Sequence, residues 1–223
     1  MSDQHLAKNI IDFYRKYGRV WTELRGEYLY EQSWLDRFCE KLPSNAKVLD
    51  LGCGSGVPIA RYLSEKGCAI TGVDSSEVML EMAQQNFPME NYPNHRWILG
   101  DMRNVQLNEN ARLNENVSHN TDSIFDGILA WDSFFHLTAD DQRQMCAQIQ
   151  RFSKIGTMLM FTSGPSDGEA IGEMFGEALY HASLSPDEYR ELLAQHDFLV
   201  LEMVANDADC AGHTVWLAQK KSP

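Results

Sequence analysis

Apolar positions recur along this chain with two periods. Over residues 6–24, Ile10, Phe13, Tyr14, Tyr17, Trp21 and Leu24 fall three or four apart, which predicts a helix with one apolar face, interrupted if anywhere at Gly18. A second helix is expected over 28–42, stopped by Pro43-Ser44-Asn45. The pattern then changes to short apolar runs at 46–51, 68–73 and 95–99, each ending in an acid or in Gly-Asp. Helical spacing returns over 57–66, ended by Gly67, and from a cap at Ser75 or Ser76 to about residue 87. Strands alternating with helices of this length predict parallel βαβ units and an α/β fold.

The second half continues the rhythm less evenly. A strand is predicted over 124–131, then a helix capped by Thr138 that carries Gln142, Met145 and Ile149, then a strand over 156–161. Residues 162–181 are glycine-rich and without a clear period; one helical turn is expected near 171–175. Ser185-Pro186-Asp187-Glu188 opens a helix running to about 195. The last two strands, 198–204 and 214–218, are joined by too few residues for a crossover and must be antiparallel if they pair, which puts one reversed strand at or near the sheet edge. Between 104 and 123 the apolar pattern vanishes into Asn, Glu, Ser and Thr, so a mobile surface loop is expected.

Composition narrows the partners. At 223 residues the chain is expected to form one domain with a core that needs no disulfide or metal. A formal net charge of -13, with no basic run, disfavours nucleic acid and points to a small molecule. The five cysteines are odd in number and scattered, which suits reduced thiols in a cytoplasmic protein. The start does not read as a signal peptide, and no apolar run is long enough to span a bilayer, so no membrane role is expected. Cys210 and His213 are too few to make a metal site, and none is expected.

The chemistry-bearing stretch is Lys47-Val48-Leu49-Asp50-Leu51-Gly52-Cys53-Gly54-Ser55-Gly56, an apolar strand that breaks into three glycines. Such a turn admits a ligand close to the backbone and is expected to aim the free N–H groups of the next helix at it. Asp50, Asp74 and Asp101 follow successive strands at the carboxyl edge of the sheet, where open α/β folds bind ligands. Asp74 stands about 20 residues past the glycines, the position at which an acid takes a ribose diol. The glycines give G-x-G-x-G rather than the dinucleotide spacing, and no G-K-[ST] follows, so a nucleoside without a pyrophosphate fits best.

Val48-Leu49-Asp50-Leu51-Gly52-Cys53-Gly54-Ser55-Gly56, with Gly72-Val73-Asp74-Ser75-Ser76, Gly100-Asp101-Met102 and Phe125-Asp126-Gly127-Ile128-Leu129, resembles the class I S-adenosylmethionine-dependent methyltransferases. The resemblance implies a Rossmann-like, seven-stranded, mostly parallel sheet with one antiparallel strand and helices on both faces. It also implies a single domain with a helical lid over 1–44 and a core over 45–223. Gly52 and Gly54 would pass under the methionine moiety of S-adenosylmethionine, Asp74 with Ser75 would hold the ribose, and Asp101 with Met102 would meet the adenine. Asp50 would face the cofactor's amino group, and Trp131 the methionine end.

Tyr14, Tyr17 and Trp21 could wall a cationic sulfonium, and Arg25 could pair the cofactor carboxylate. Methyl transfer is an in-line displacement, helped mainly by positioning and drying of the site. A hydroxyl or nitrogen acceptor needs a base, for which His136 is the first candidate and Asp132, His181 and His213 are weaker alternatives, with Asp132, His136, Tyr180 and His181 as candidate acceptor contacts. The rival readings are a non-catalytic nucleoside-binding module and a nicotinamide-dependent reductase, the second disfavoured by the glycine spacing.

Overall fold

The computed structural model describes residues 3–107 and 124–222. From 108 to 123 the expected surface loop lies outside the described residues. In chain order the elements are α1 (Asp3–Arg25), α2 (Gln32–Cys39), β1 (Lys47–Leu51), α3 (Ile59–Glu65), β2 (Ala69–Asp74), α4 (Glu77–Asn86), β3 (Arg96–Leu99), β4 (Phe125–Ala130), α5 (Ala139–Arg151), β5 (Ser153–Ser163), β6 (Gly168–Met174), β7 (Glu177–Ser183), α6 (Pro186–Gln195), β8 (Phe198–Asp207) and β9 (His213–Lys220). Among the described residues, no helix is long and apolar enough to cross a membrane.

Seven strands form one sheet in the order β3-β2-β1-β4-β5-β9-β8. The pairs from β3 through β5 are parallel, while β9 runs antiparallel to both β5 and β8. The reversed strand therefore sits one place in from the edge. Strand order reverses between β1 and β4, which opens a crevice at their carboxyl ends.

Strand residues alternate between two buried layers. Val48, Leu129, Met158, Met160 and Leu217 meet Trp34, Leu35 and Phe38 of α2 and Leu63 of α3 on one face. Leu49, Ile128, Leu159, Phe161 and Trp216 meet Met145 and Ile149 of α5 and Tyr189 and Leu193 of α6 on the other. Parallel strands covered on both faces need apolar side chains at successive positions, which explains the continuous runs in the sequence.

Gly18 does not break α1: it lies mid-helix, where an added Cβ would come within 3.3 Å of the Met79 side chain, so the glycine lets α1 settle on α4. Around that contact α1 is bridged by exposed ion pairs, Arg19 to Glu81 and Arg15 to Glu77 on α4, and Lys16 to Glu177 on β7.

The helical turn expected near 171–175 is corrected: the segment is a β-hairpin, β6 pairing antiparallel with β7 and Ile171 opposite Tyr180. Phe175 and Gly176 form its two-residue turn, both at positive φ (55° and 79°). Nearly every residue of β6 is exposed, so no burial selects an alternating pattern there, whereas β7 buries Leu179, Tyr180 and Ala182. The hairpin is tied to α5 by the buried Gln142, whose Nε2 donates to the carbonyls of Leu137 and Ala182 at 2.9 Å each.

Candidate functional site

The glycine turn after β1 is shaped by what it touches. Gly52 has φ +80°, and a Cβ added there would lie 2.3 Å from the Ser133 Cβ, so neither the conformation nor the space admits a side chain. The N–H groups of Gly52 and Cys53 both donate to the Val73 carbonyl (2.8 and 3.1 Å), that of Gly54 to Asp74 Oδ2 (2.9 Å), and that of Gly56 to the Cys53 carbonyl (3.0 Å). These turn donors are spent inside the protein, so any free N–H groups aimed at a ligand belong to the start of α3, which begins at Ile59. The turn provides close approach without an anion cradle, which suits a nucleoside lacking a pyrophosphate.

Above it lies a cavity enclosing about 1140 Å³ of empty space, mouth included. Its floor is built at the carboxyl ends of four adjacent strands: Asp50, Gly52 and Gly54 after β1, Asp74 and Ser75 after β2, Asp101 and Met102 after β3, and Trp131, Asp132 and His136 after β4. From α1, Trp21 and Arg25 reach its wall, as does Tyr14. Three other anticipated residues do not line it. Tyr17 lies roughly 60° round the helix from Tyr14; its hydroxyl donates to Glu177 Oε1 at 2.9 Å and its ring packs on Phe175. Tyr180 is buried with its hydroxyl on Glu169, and His181 packs against the His136 ring, centroids 4.9 Å apart, outside the cavity lining.

The acids differ in their surroundings. Burial, and then the charge of Asp74, pushes the Asp50 carboxyl up to about 7. Burial also raises Asp74, against the pull of the backbone N–H groups of Ser76 and Gly54, each 2.9 Å from a carboxylate oxygen. Burial would raise Asp101 as well, but hydrogen bonds from the Arg103 side chain and backbone outweigh it and hold the carboxyl low. Arg103 also reaches Asp141 at 3.1 Å, so this wall carries an acid–base–acid cluster of which only Asp101 was anticipated; nothing in the local pattern links Asp141, on α5, to β3. Arg25 is likewise committed, to buried Glu31 at 2.6 Å and to the Tyr28 carbonyl at 2.8 Å, with its guanidinium over the Tyr30 ring. It was expected to be available to a ligand carboxylate; Glu31 and the Tyr28 carbonyl take two of its five N–H donors, and its charge is already paired.

Beyond β4 the backbone bends through Asp132, at φ +48°, whose N–H donates to Thr162 Oγ1 at 2.9 Å. Tyr30 donates to Asp132 Oδ2 at 3.3 Å, and His213 Nε2 lies 2.9 Å from Oδ1. His213 stacks on both Trp131 and Tyr30, and its Nδ1–H donates to the Cys210 carbonyl at 2.8 Å. Burial would lower His213, but Asp132 prevails and raises it, favouring an imidazolium–carboxylate pair.

His136 is the opposite case. It is buried, and burial drives it down to about 4 despite its bond to the Tyr180 carbonyl, so the ring is neutral at pH 7. Its Nδ1 lies 2.9 Å from that carbonyl, which can only accept; the proton is on Nδ1, and Nε2 keeps its lone pair. The Tyr14 hydroxyl donates to Nε2 at 3.1 Å.

A family model described as a methyltransferase domain matches residues 48–156. The chain is 26% identical over 167 residues to an O-methyltransferase of Pyrenophora dematioidea, covering 70% of this chain and 55% of that one. It is 27% identical over 180 residues to a malonyl-[acyl-carrier protein] O-methyltransferase of Paenibacillus sp., covering 75% and 60%. It thus spans less than two thirds of the length of these curated relatives. Among solved structures, the fold is similar to that of the Burkholderia thailandensis 1,6-didemethyltoxoflavin-N1-methyltransferase with bound 1,6-didemethyltoxoflavin and S-adenosylhomocysteine: TM-score 0.70 at 19% identity, over 100% of this chain and 92% of that one.

Proposed function

We infer that this chain, whose residues 48–156 belong to the methyltransferase-domain family, binds S-adenosylmethionine and transfers its methyl group to an oxygen or nitrogen of a small-molecule acceptor. The observation that carries the reading is the convergence of Gly52, Asp50, Asp74 and Asp101 on one cavity at the strand-order reversal. The residues fit the cofactor: at Gly54, which lines the cavity, a Cβ would meet nothing nearer than Met79 Sδ at 3.9 Å, so the bare backbone leaves that space open, the turn holds no pyrophosphate site, and two raised carboxyls suit a ligand bearing an ammonium and a sulfonium. When bound, the cofactor supplies an electrophilic methyl carbon, to which the acceptor's lone pair bonds as the carbon–sulfur electrons return to sulfur.

In this reading Asp74, with lone pairs left over from its two backbone bonds, holds the ribose hydroxyls, and Met102 and Asp101 flank the adenine. Asp50 offsets the amino group. Trp21 and Trp131 exclude water from the reacting centre and face its positive charge. His136, neutral and with its tautomer fixed, is the base at which the proton released by the acceptor comes to rest. Of the expected lid over 1–44, α1 takes the part, while α2 packs Trp34, Leu35 and Phe38 into the core of the same domain; five unpaired thiols suit the reducing cytoplasm. The relatives' names set the range of acceptors to consider, from a malonyl group on a carrier protein to a heterocyclic nitrogen.

Calorimetry with S-adenosylmethionine and S-adenosylhomocysteine tests the reading. Both are expected to bind, and Asp74→Ala is expected to weaken them at least tenfold while the fold is retained. No heat from either ligand, or an Asp74→Ala protein indistinguishable from the parent, refutes it.

A further inference from the structure

Tyr14 and His136 both line the cavity, and the Tyr14 hydroxyl is the partner of His136 Nε2, 3.1 Å away. We propose that Tyr14 is the residue that takes the acceptor's proton, relaying it to His136, and that the acceptor is accordingly an uncharged hydroxyl or N–H compound. The inference rests on the methyl-transfer reading and deepens it.

Three features converge. His136 can accept only at Nε2, because Nδ1 is held by the Tyr180 carbonyl, and the donor on Nε2 is Tyr14. Burial, with the charges of Asp132 and Asp74, raises the Tyr14 phenol, so its oxygen carries its own proton at rest and donates it to the ring. The same oxygen keeps lone pairs for a donor arriving in the cavity.

As the acceptor's lone pair is committed to the new carbon bond, its X–H proton moves to Tyr14 Oη while the original Tyr14 proton moves to His136 Nε2. Tyr14 ends neutral, and the positive charge lost at sulfur reappears on a His136 imidazolium, which must release a proton before the next cycle. Atoms and charge balance without a further reactant.

The charge of the acceptor follows from a separate observation. The cations lining the cavity are already matched: Arg25 by Glu31, and Arg103 by Asp101 and Asp141. The nearby His213 is matched by Asp132. Apart from the cofactor's own sulfonium, whose charge is lost on transfer, an anionic acceptor would enter a cavity edged by Asp50, Asp74 and Asp132 with no unmatched side-chain cation to receive it. An acceptor carrying an uncharged O–H or N–H meets the Tyr14 oxygen instead.

The test uses the full chain labelled with ¹⁵N-histidine, alone and with S-adenosylhomocysteine. Imidazole NMR is expected to show His136 protonated at Nδ1, with Nε2 hydrogen-bonded, and Tyr14→Phe to remove the bond at Nε2 while S-adenosylhomocysteine affinity stays within about twofold. Across a panel of phenols, alcohols, amines and matched carboxylates, S-adenosylhomocysteine release is expected only with the uncharged proton-bearing members. The kcat with those members is expected to fall roughly 100-fold or more in Tyr14→Phe, the scale of a lost acid–base group, with KM little changed. His136→Asn, which can still donate to Tyr180, is expected to lose kcat alike. A His136 proton on Nε2, a Tyr14→Phe protein with parental kcat, or turnover of carboxylates alone overturns the proposal. Failure of S-adenosylhomocysteine to bind the parent instead refutes the methyl-transfer reading and leaves the tautomer measurement to judge the pair of residues.

Discussion

Asp50 lies buried at the end of β1 with a carboxyl pushed up to about 7, against about 4 in an unfolded chain. Between those values the folded protein holds a proton that the unfolded chain has released, so the contribution of Asp50 to stability declines as pH rises from about 4 to about 7 and stays low above. Asp74, also raised, adds a slope of the same sign. Asp50→Asn is expected to flatten the decline and to leave the ligand-free protein more stable than the parent at pH 8 by a few kcal/mol, an order-of-magnitude figure. Urea unfolding at pH 5 and pH 8 measures this; equal pH dependence in the two proteins would show that Asp50 is not the group responsible. Because a bound ammonium favours the carboxylate, S-adenosylhomocysteine is expected to bind the parent more tightly as pH rises through about 7, and the variant much less so. The sequence made Asp50, Gly52, Asp74 and Asp101 legible because each follows a strand, and strand ends meet at one edge whatever the packing around them. Tyr14 could not be told from Tyr17 in the same way: both belong to an apolar stripe, and which side of α1 turns to the cavity is decided by how the helix docks on α4 and β7, contacts far apart in the chain.

At the scale of elements, Ser76 joins two pieces that the sequence shows separately. Its side chain caps α4 by accepting from the Met79 N–H, and its hydroxyl donates to the Tyr14 carbonyl on α1 at 3.2 Å. Ser76→Ala is expected to cost about 1 kcal/mol, a typical cap loss, lowering Tm by about 2–4 °C for a domain of this size. A calorimetric Tm within 0.5 °C of the parent, roughly the scatter of such measurements, would deny the cap its role. The caps at Thr138 and Ser185 were readable because capping is local chemistry, a side chain and an N–H three residues apart. The β6–β7 hairpin was not, because its turn is Phe-Gly rather than Asn-Gly and its outer strand faces solvent on nearly every residue.

The molecule as a whole is a sheet that was legible from its alternation, including the reversed strand, because a short connection leaves no other way to pair β8 and β9. Its covering by α1 and the hairpin depends on long-range contacts and was visible only as an amphipathic helix and an unassigned stretch. The bridges that seat α1, from Lys16 to Glu177, Arg19 to Glu81 and Arg15 to Glu77, are all exposed to solvent. Exposed pairs are individually weak and are screened over about 10 Å at 0.1 M salt. Dissolved salt weakens these bridges of α1, and where α1 has to lift for entry, ionic strength is expected to control how fast a ligand gets in. Stopped-flow quenching of Trp21 and Trp131 fluorescence by S-adenosylhomocysteine, which has no net charge to be steered, is expected to quicken severalfold between 20 mM and 500 mM sodium chloride. An association rate indifferent to salt would mean that α1 does not have to lift, and that the cofactor reaches the glycine turn by another way.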